Sequence, residues 1–417
     1  MKVLLVTRHF PPGGGGGVQR PLKFATHLPA LGIETHVLAP DVPGTTPADA
    51  ELELPTQAWI HRVRYVGPRG GRPSERLSDK QGLARVGTQA ALLGRRLLVP
   101  DENIPWSTLA LPVAIRLVRR EGIDVVLTTS PPPSLHLLGA AVKRTTGAAW
   151  VADLRDPLTS HPHRRGYESQ LARLKEKSVG GVGRLVASQA DAIVAASDAI
   201  AEEMRALEPR GKVVTIANGC DFDDFAGLEH HPGNRLRITH AGHFHGKRDP
   251  KPFLRALAES GLDDVVVRFA GDFRAADREY AEALGLGDRV ELLGDVSRRR
   301  SLELQRDSEA LLLLIPESGG RGRGVVTGKI YEYLAAERPI LAAVPPDGAA
   351  ARLVRDTGAG VVVASDDVDA LRAALLDLHR RWQEGSLDGT PLSAEWRERL
   401  SRGARVEELA DVLRSVV

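Results

Sequence analysis

Thr327, Gly328, Lys329 and Glu332 stand close together in the stretch GVVTGKIYEYLAAERPIL, residues 324–341. Those residue types suit an anion attached to a polyol. A lysine ammonium attracts negative charge, and a carboxylate one helical turn away accepts hydrogen bonds from hydroxyls. A second loop, AGHFHGKRDP, offers Lys247 and Arg248 just ahead of a helix expected to begin near Pro250. Cations placed before a helix N-terminus suit phosphate in the same way. The plain alternative is a βαβ unit whose Lys and Glu are solvated, but two anion-suited loops in one half of the chain weigh against it. Asp153, Arg155 and Asp156 form a third polar group, in VADLRDPL, where a strand is expected to end. They suit a polar acceptor, or an ion-paired strand end with no role in binding. A fourth is the run Gly13 to Gly17 in PPGGGGGVQR, which makes sense where backbone must approach a ligand without side chains in the way.

The elements that would position these groups follow from periodicity. EALLLLIP reads as a buried parallel strand and PILAAV as the next one. Between them Ile330, Leu334, Ala335 and Ala336 trace a helix that Pro339 ends. The loop before it therefore delivers Thr327, Gly328 and Lys329 to a helix N-terminus, where free N–H groups and the helix dipole favour an anion. VLLVT, THVLAP, WIHRVRY, DVVLTTS, AAWVADL, DAIVAAS and VVTIANG read as strands of a first half. LRITHA, VVVRFAGDF, VELLGDV, ALLLLIP, PILAAV and GVVVA read as strands of a second. Helical segments alternate with them, which is the pattern of doubly wound parallel sheets. The expected division is residues 1–225, a polar linker 226–235, and residues 236–395. The C-terminal segment 396–417 carries Val406, Leu409, Ala410 and Leu413 on one helix face, which would pack back on the first half. Two similar lobes joined by a short linker imply a cleft between them.

Composition excludes several function classes. The chain has 417 residues, 42% hydrophobic and 26% charged, with a net charge of +2 and one cysteine, Cys220. That is a soluble globular composition with no general attraction to polyanions, no intramolecular disulfide and no cysteine-based zinc site. The segment MKVLLVTRHF is a strand and not a signal peptide, and no apolar run reaches membrane-spanning length, so the expected location is the cytoplasm, or at most the inner face of the membrane as a peripheral protein. The glycine run opens a strand–loop–helix unit, but it is not a G-x-G-x-x-G. No acid ends the strand THVLAP, which argues against NAD. His161 and His163 lack a carboxylate cluster, and no metal is expected. A helix around 84–99 carries Arg85, Arg95 and Arg96 beside a basic, glycine-rich loop. It is a candidate contact with anionic lipid or a phosphorylated acceptor, or simply a solvated face.

PPGGGGGVQR, ANGCDFDDF, GHFHGKRDPKPFLRAL and KIYEYLAAERPIL, in that order, resemble GT-B glycosyltransferases, above all the retaining enzymes of glycosyltransferase family 4 with their group 1 C-terminal domain. The resemblance spans essentially the whole chain and implies two Rossmann-like domains facing across a cleft. It implies a nucleoside-diphosphate sugar as donor and a hydroxyl acceptor (a glycan, lipid-linked or natural-product hydroxyl), with no metal and no other cofactor. Arg248 and Lys329 would serve the diphosphate in catalysis. Lys247, Thr327, Gly328 and Glu332 would bind the donor, Glu332 through the ribose. Gly14, Gly15, Gly16 and Gly17 would close over the sugar-diphosphate, and Asp153, Arg155 and Asp156 would face the acceptor. One departure stands out: the family's first glutamate, eight positions before the second, is here Gly324, and Glu317 is out of register. A nucleotide-sugar 2-epimerase of the same fold and a non-catalytic nucleotide-sugar binder are the competing readings.

Overall fold

The computed structural model describes residues 1–42, 49, 51–67, 94, 97–158, 170–244, 248–317, 322–389 and 391–417. Arg85, Arg95, Arg96, His161, His163 and Lys247 lie outside them. The chain forms two compact units, residues 1–217 with 405–417, and residues 218–404.

Unit 1 is a seven-stranded sheet in the order β3-β2-β1-β4-β5-β6-β7, every neighbouring pair parallel. Its strands are β1 (Lys2–Thr7), β2 (Glu34–Pro40), β3 (Trp59–Val63), β4 (Val125–Ser130), β5 (Ala149–Leu154), β6 (Ala192–Ala195) and β7 (Lys212–Thr215). Helices α1 (Gly16–His27), α2 (Ile104–Glu121), α3 (Ser134–Thr146), α4 (Gln170–Gln189) and α5 (Asp198–Arg205) make the crossovers. The seven apolar segments read from the sequence are these seven strands. All six residues of β4 are buried, because a parallel sheet covered by helices has no wet face.

Unit 2 repeats the plan with six parallel strands in the order β10-β9-β8-β11-β12-β13. They are β8 (Leu236–Ala241), β9 (Val265–Ala270), β10 (Val290–Gly294), β11 (Ala310–Leu314), β12 (Ile340–Ala343) and β13 (Gly360–Val363). The intervening helices are α6 (Lys251–Glu259), α7 (Ala275–Ala283), α8 (Arg298–Arg306), α9 (Gly328–Ala336) and α10 (Ala349–Asp356). Helices α11 (Val368–Gln383), α12 (Ala394–Leu400) and α13 (Arg402–Arg414) close the chain. The polar stretch read as a linker is held in unit 2. His231 N–H donates to Asp307 at 2.8 Å, and His230 pairs with Glu309 at 3.2 Å.

From Arg405 onward α13 belongs to unit 1. Val406, Leu409, Ala410 and Leu413 are buried there against Val3, Leu5, Val37 and Val125. Each side chain of this kind, once buried, stabilises by about 1.5–3 kcal/mol, so the apolar stripe supplies the force that returns the chain to unit 1. No helix among the described residues is long and apolar enough to cross a membrane.

Helix starts differ in one informative way. Ser197, Ser297, Asp367 and Ser393 cap α5, α8, α11 and α12 by accepting a backbone N–H. Thr327, at the N-cap of α9, is a capping type in extended conformation, yet its side chain makes no cap bond.

Candidate functional site

In unit 2, α9 follows the loop that leaves β11. The Thr327 hydroxyl oxygen is buried and has no hydrogen-bond partner. Ile330 N–H turns back to the Thr327 carbonyl at 3.2 Å, while the N–H groups of Gly328 and Lys329 precede any helical acceptor. This is a helix start with its donors left open.

Lys329 reaches from that start to the end of β8. There Gly242 has φ of +125°, and a Cβ at that position would lie 2.2 Å from Lys329 Cε and 2.6 Å from Nζ. Only glycine lets the ammonium settle against this backbone. Among the described residues Lys329 makes no hydrogen bond or ion pair. Burial, and then the positive charge of Arg248, push its pKa from 10.5 down to about 7, with Glu332 pulling the other way. Arg248 is 8% exposed and donates to two carbonyls, Nε to Leu314 at 3.0 Å and Nη1 to His243 at 2.8 Å. Carbonyls orient the guanidinium but leave its charge uncompensated, and burial lowers its pKa. Arg248 is buried and Lys329 partly so, and among the described residues no anion pairs with either, an arrangement that favours an anionic ligand.

His240, fully buried on β8, donates Nδ1–H to the Leu312 carbonyl at 2.8 Å. Its Nε2 is then a lone-pair acceptor, and it has no partner. Burial, followed by the charges of Lys329 and Arg248, holds its pKa far below the usual value, so the ring stays neutral. The Tyr333 hydroxyl accepts the Ala241 N–H at 2.8 Å and ties α9 to the same strand end.

Glu332, on the first turns of α9, accepts Arg298 Nη1 on Oε1 at 2.7 Å and Gln305 Nε2 on Oε2 at 3.4 Å. Burial alone would raise its pKa, but the Arg298 charge and hydrogen bond hold it below the usual carboxylate value. It is therefore an ionised, oriented acceptor. Glu317 instead pairs with Arg323 at 3.2 Å on the surface.

In unit 1 the polar residues read from the sequence end up in different surroundings. Asp153 is fully buried, and Arg20 donates to both of its oxygens, the shortest contact being 2.7 Å; Thr129 adds another at 2.7 Å. Arg155 donates Nε to the Ser130 carbonyl at 2.7 Å and Nη1 to the Gly17 carbonyl, which ties β5 to the glycine loop. That loop starts α1: Gly15 is the N-cap with φ of +84°, and the ring of His9 lies 3.5 Å from where a Gly17 Cβ would be. Asp156 is partly exposed and makes no hydrogen bond among the described residues.

Lys329, Thr327, Gly328, Glu332 and Arg248 are thus brought into one neighbourhood of unit 2. Arg155 and Gly17 are brought together in unit 1. Sequence reasoning missed Gly242, His240, Arg20 and Arg298. Gly242 carried a weak signal, a glycine directly after a strand; Arg298 carried none, because it sits in a basic run, RRR, that reads as solvated.

Comparison with known proteins supplies the rest. The family Glycosyltransferase Family 4 matches residues 14–224, and Glycosyl transferases group 1 matches residues 235–381. No curated protein matches the chain. Among solved structures, a glycosyltransferase from Rickettsia africae ESF-5 is 13% identical with a TM-score of 0.63, covering 100% of this chain and 98% of that one. The Anabaena protein Alr3699/HepE, solved with UDP-glucose, is 14% identical with a TM-score of 0.64 and 100% coverage of both chains. Sucrose-phosphate synthase from Thermosynechococcus elongatus is 16% identical with a TM-score of 0.63, covering 100% and 98%. These likenesses establish the fold, and the family match spans more than half of the chain. The chain belongs to glycosyltransferase family 4, and it is a GT-B glycosyltransferase.

Proposed function

We propose that the chain moves a hexosyl group from a nucleoside-diphosphate sugar to a hydroxyl acceptor, with retention at the anomeric carbon and without a metal. The observation that carries this reading is the unpaired Lys329 ammonium against Gly242, beside Arg248 and at the open start of α9, one turn from an ionised Glu332. The Anabaena protein Alr3699/HepE, of the same fold, has been solved with UDP and with UDP-glucose, which supports a donor of that class.

In the proposed reaction the bond between the anomeric carbon and the β-phosphate oxygen breaks early. Positive charge builds on the sugar and negative charge on the leaving diphosphate. Lys329, Arg248 and the α9 N-terminus stand where that negative charge grows, and fixed cations in a dry site stabilise it without reorganisation. The acceptor oxygen bonds to the anomeric carbon on the face the leaving group vacates. Its proton passes to a β-phosphate oxygen, so the nucleoside diphosphate departs protonated and no separate base is needed. Glu332 holds the ribose hydroxyls. The neutral His240 Nε2 and the Thr327 hydroxyl remain as hydrogen-bonding positions beside the cations. The glycine loop, Gly14 to Gly17, and Lys247 complete the donor side of this proposal; Arg155 and Asp156 stand on the acceptor side, with the buried Asp153, held by Arg20 and Thr129, supporting them from within. The setting proposed is the cytoplasm or the inner face of a membrane.

Calorimetric titration with UDP, ADP and GDP tests the reading. At least one diphosphate is expected to bind wild type, with binding weakened at least tenfold in Arg248→Ala and in Lys329→Ala, the loss expected for one charge-assisted contact of about 1.5–3 kcal/mol. Wild-type affinity in both variants would remove the diphosphate assignment. Product analysis separates transfer from 2-epimerisation, since an epimerase releases an altered sugar without any acceptor.

A further inference from the structure

Arg298 sits first in α8, in the run Arg298, Arg299, Arg300. Its two neighbours pair with Glu303 on the surface, at 62% and 59% exposure. Arg298 is 16% exposed and lies between two carboxylates: Nη1 donates to Glu332 and Nη2 to Asp224, each at 2.7 Å. Asp224 belongs to the short 3-10 turn Phe222–Phe225, so the guanidinium ties that turn to α9. Ser297 caps α8 and fixes where the arginine starts. Gln305, two turns further along α8, donates Nε2 to the other Glu332 oxygen at 3.4 Å and to Ser301 at 3.2 Å; its own Oε1 is buried without a partner.

Each oxygen of the Glu332 carboxylate therefore carries one protein donor. A carboxylate offers about four lone-pair positions, so one acceptor position per oxygen remains. Two acceptors on one fixed carboxylate match the two vicinal hydroxyls of a ribose. Without the guanidinium the terminal torsion of a glutamate is broad and roughly two-fold, and the carboxylate loses its preset orientation.

We propose that Arg298 is a positioning residue: by clamping Glu332 against Asp224 it makes the chain select ribonucleoside diphosphates over 2′-deoxy analogues. The proposal rests on the reading of Glu332 as the ribose acceptor and extends it to a residue that never touches the sugar. Burial favours the protonated form of Glu332, and it is the Arg298 charge that keeps the carboxyl ionised, so the clamp governs protonation as well as orientation.

The test is a cycle of two ligands and three proteins. Wild type, Arg298→Gln and Arg298→Lys are titrated with whichever of UDP, ADP and GDP binds wild type best, and with its 2′-deoxy form. Wild type is expected to prefer the ribonucleotide by about tenfold, the worth of one hydrogen bond to a charged group. In Arg298→Gln the preference is expected to shrink to under about twofold while the diphosphate still binds, and in Arg298→Lys to recover partly. The acidic loss of ribonucleotide binding is expected at higher pH in Arg298→Gln, because Glu332 then takes a proton more readily. A purely structural arginine would weaken both ligands equally and leave the ratio and the pH profile alone; that result overturns the proposal, as does tighter ribonucleotide binding, which would make Arg298 a plug. Should Arg298→Gln fail to fold, Asp224→Asn releases one side of the clamp, and an unchanged ratio there overturns the proposal equally. If wild type prefers the ribonucleotide and every variant does too, only the role of Arg298 falls. If wild type binds no diphosphate, the donor reading falls with it.

Discussion

Asp153, near the end of β5 in unit 1, and Lys329, at the start of α9 in unit 2, are both ionisable groups of doubly wound α/β units, and their surroundings are opposite. Asp153 receives Arg20 on both oxygens and Thr129 besides. Lys329 has neither hydrogen bond nor ion pair among the described residues, and its nearest charged company includes another cation, Arg248. A buried charge with complete protein partners contributes to the fold. A partly buried charge left without them costs stability, which is why the proposed site is built around Lys329. Residue type and position at a strand or helix end therefore do not by themselves decide whether a charge is neutralised; the partners brought to it by distant parts of the chain do.

The comparison can be broken by substitution, and the largest effect is expected on the saturated side. Asp153→Asn leaves the Arg20 guanidinium buried beside a neutral amide and is expected to cost about 3–5 kcal/mol of stability in chemical denaturation. Nucleotide affinity of the folded protein should barely change; a variant as stable as wild type would show that Asp153 is not structural. Lys329→Ala is expected to behave in the reverse way. Its kcat/KM should fall by about 2–4 kcal/mol in transition-state stabilisation, as for loss of one preorganised electrostatic contact, while the melting temperature holds or rises. A fall in stability without a fall in turnover would invert the comparison.

Gly242→Ala sharpens the same contrast from the backbone side. A methyl at φ of +125° and 2.2 Å from Lys329 Cε must displace the lysine. The flexible lysine end can give way, but an alanine at that φ is strained by about 1–3 kcal/mol, and donor affinity should drop as the lysine moves. Retained affinity would show that the lysine works from another position.

Titration gives a smaller effect. The Lys329 pKa is lowered to about 7 from 10.5. Between those values the unfolded chain carries a proton on this lysine that the folded chain lacks, so its contribution to stability rises with pH across the window. An anionic ligand restores the proton, so diphosphate binding should take up a proton above pH 7 and weaken as pH rises. Calorimetry in two buffers of different ionisation enthalpy counts that proton, and equal heats after buffer correction would exclude it. The smallest expected change is Asp156→Asn, whose carboxyl makes no hydrogen bond among the described residues. Stability should stay within about 0.5 kcal/mol, while acceptor KM rises if Asp156 faces the acceptor.

Most of the architecture was readable because central parallel strands, buried on both faces, are continuous apolar runs, and the more exposed edge strands β3, β7, β10 and β13 fell into the same alternation with helices. The cluster of Thr327, Lys329 and Glu332 was readable for a related reason: one helix N-terminus holds all three within reach of one another. Arg298 was not, because one arginine in three consecutive ones looks like its neighbours until α8 packs against α9 and one of them is turned inward. Arg20 was likewise hidden; its partner Asp153 is 133 residues away, and nothing local announces the pair.

The amino-acid sequence alone determined the alternation of strands and helices, the glycine loop, the anion-suited start of α9 and the return of the terminal helix, since each depends on short-range periodicity or on the chemistry of adjacent residues. Tertiary structure alone decided which charges were neutralised. Asp153 met Arg20, Glu332 met Arg298, and Lys329 met the Gly242 backbone and no ion-pair partner among the described residues, because pairing over long separations depends on which faces touch. That choice left Lys329 without a counter-charge among the described residues, and gave Asp153 and Glu332 fixed partners.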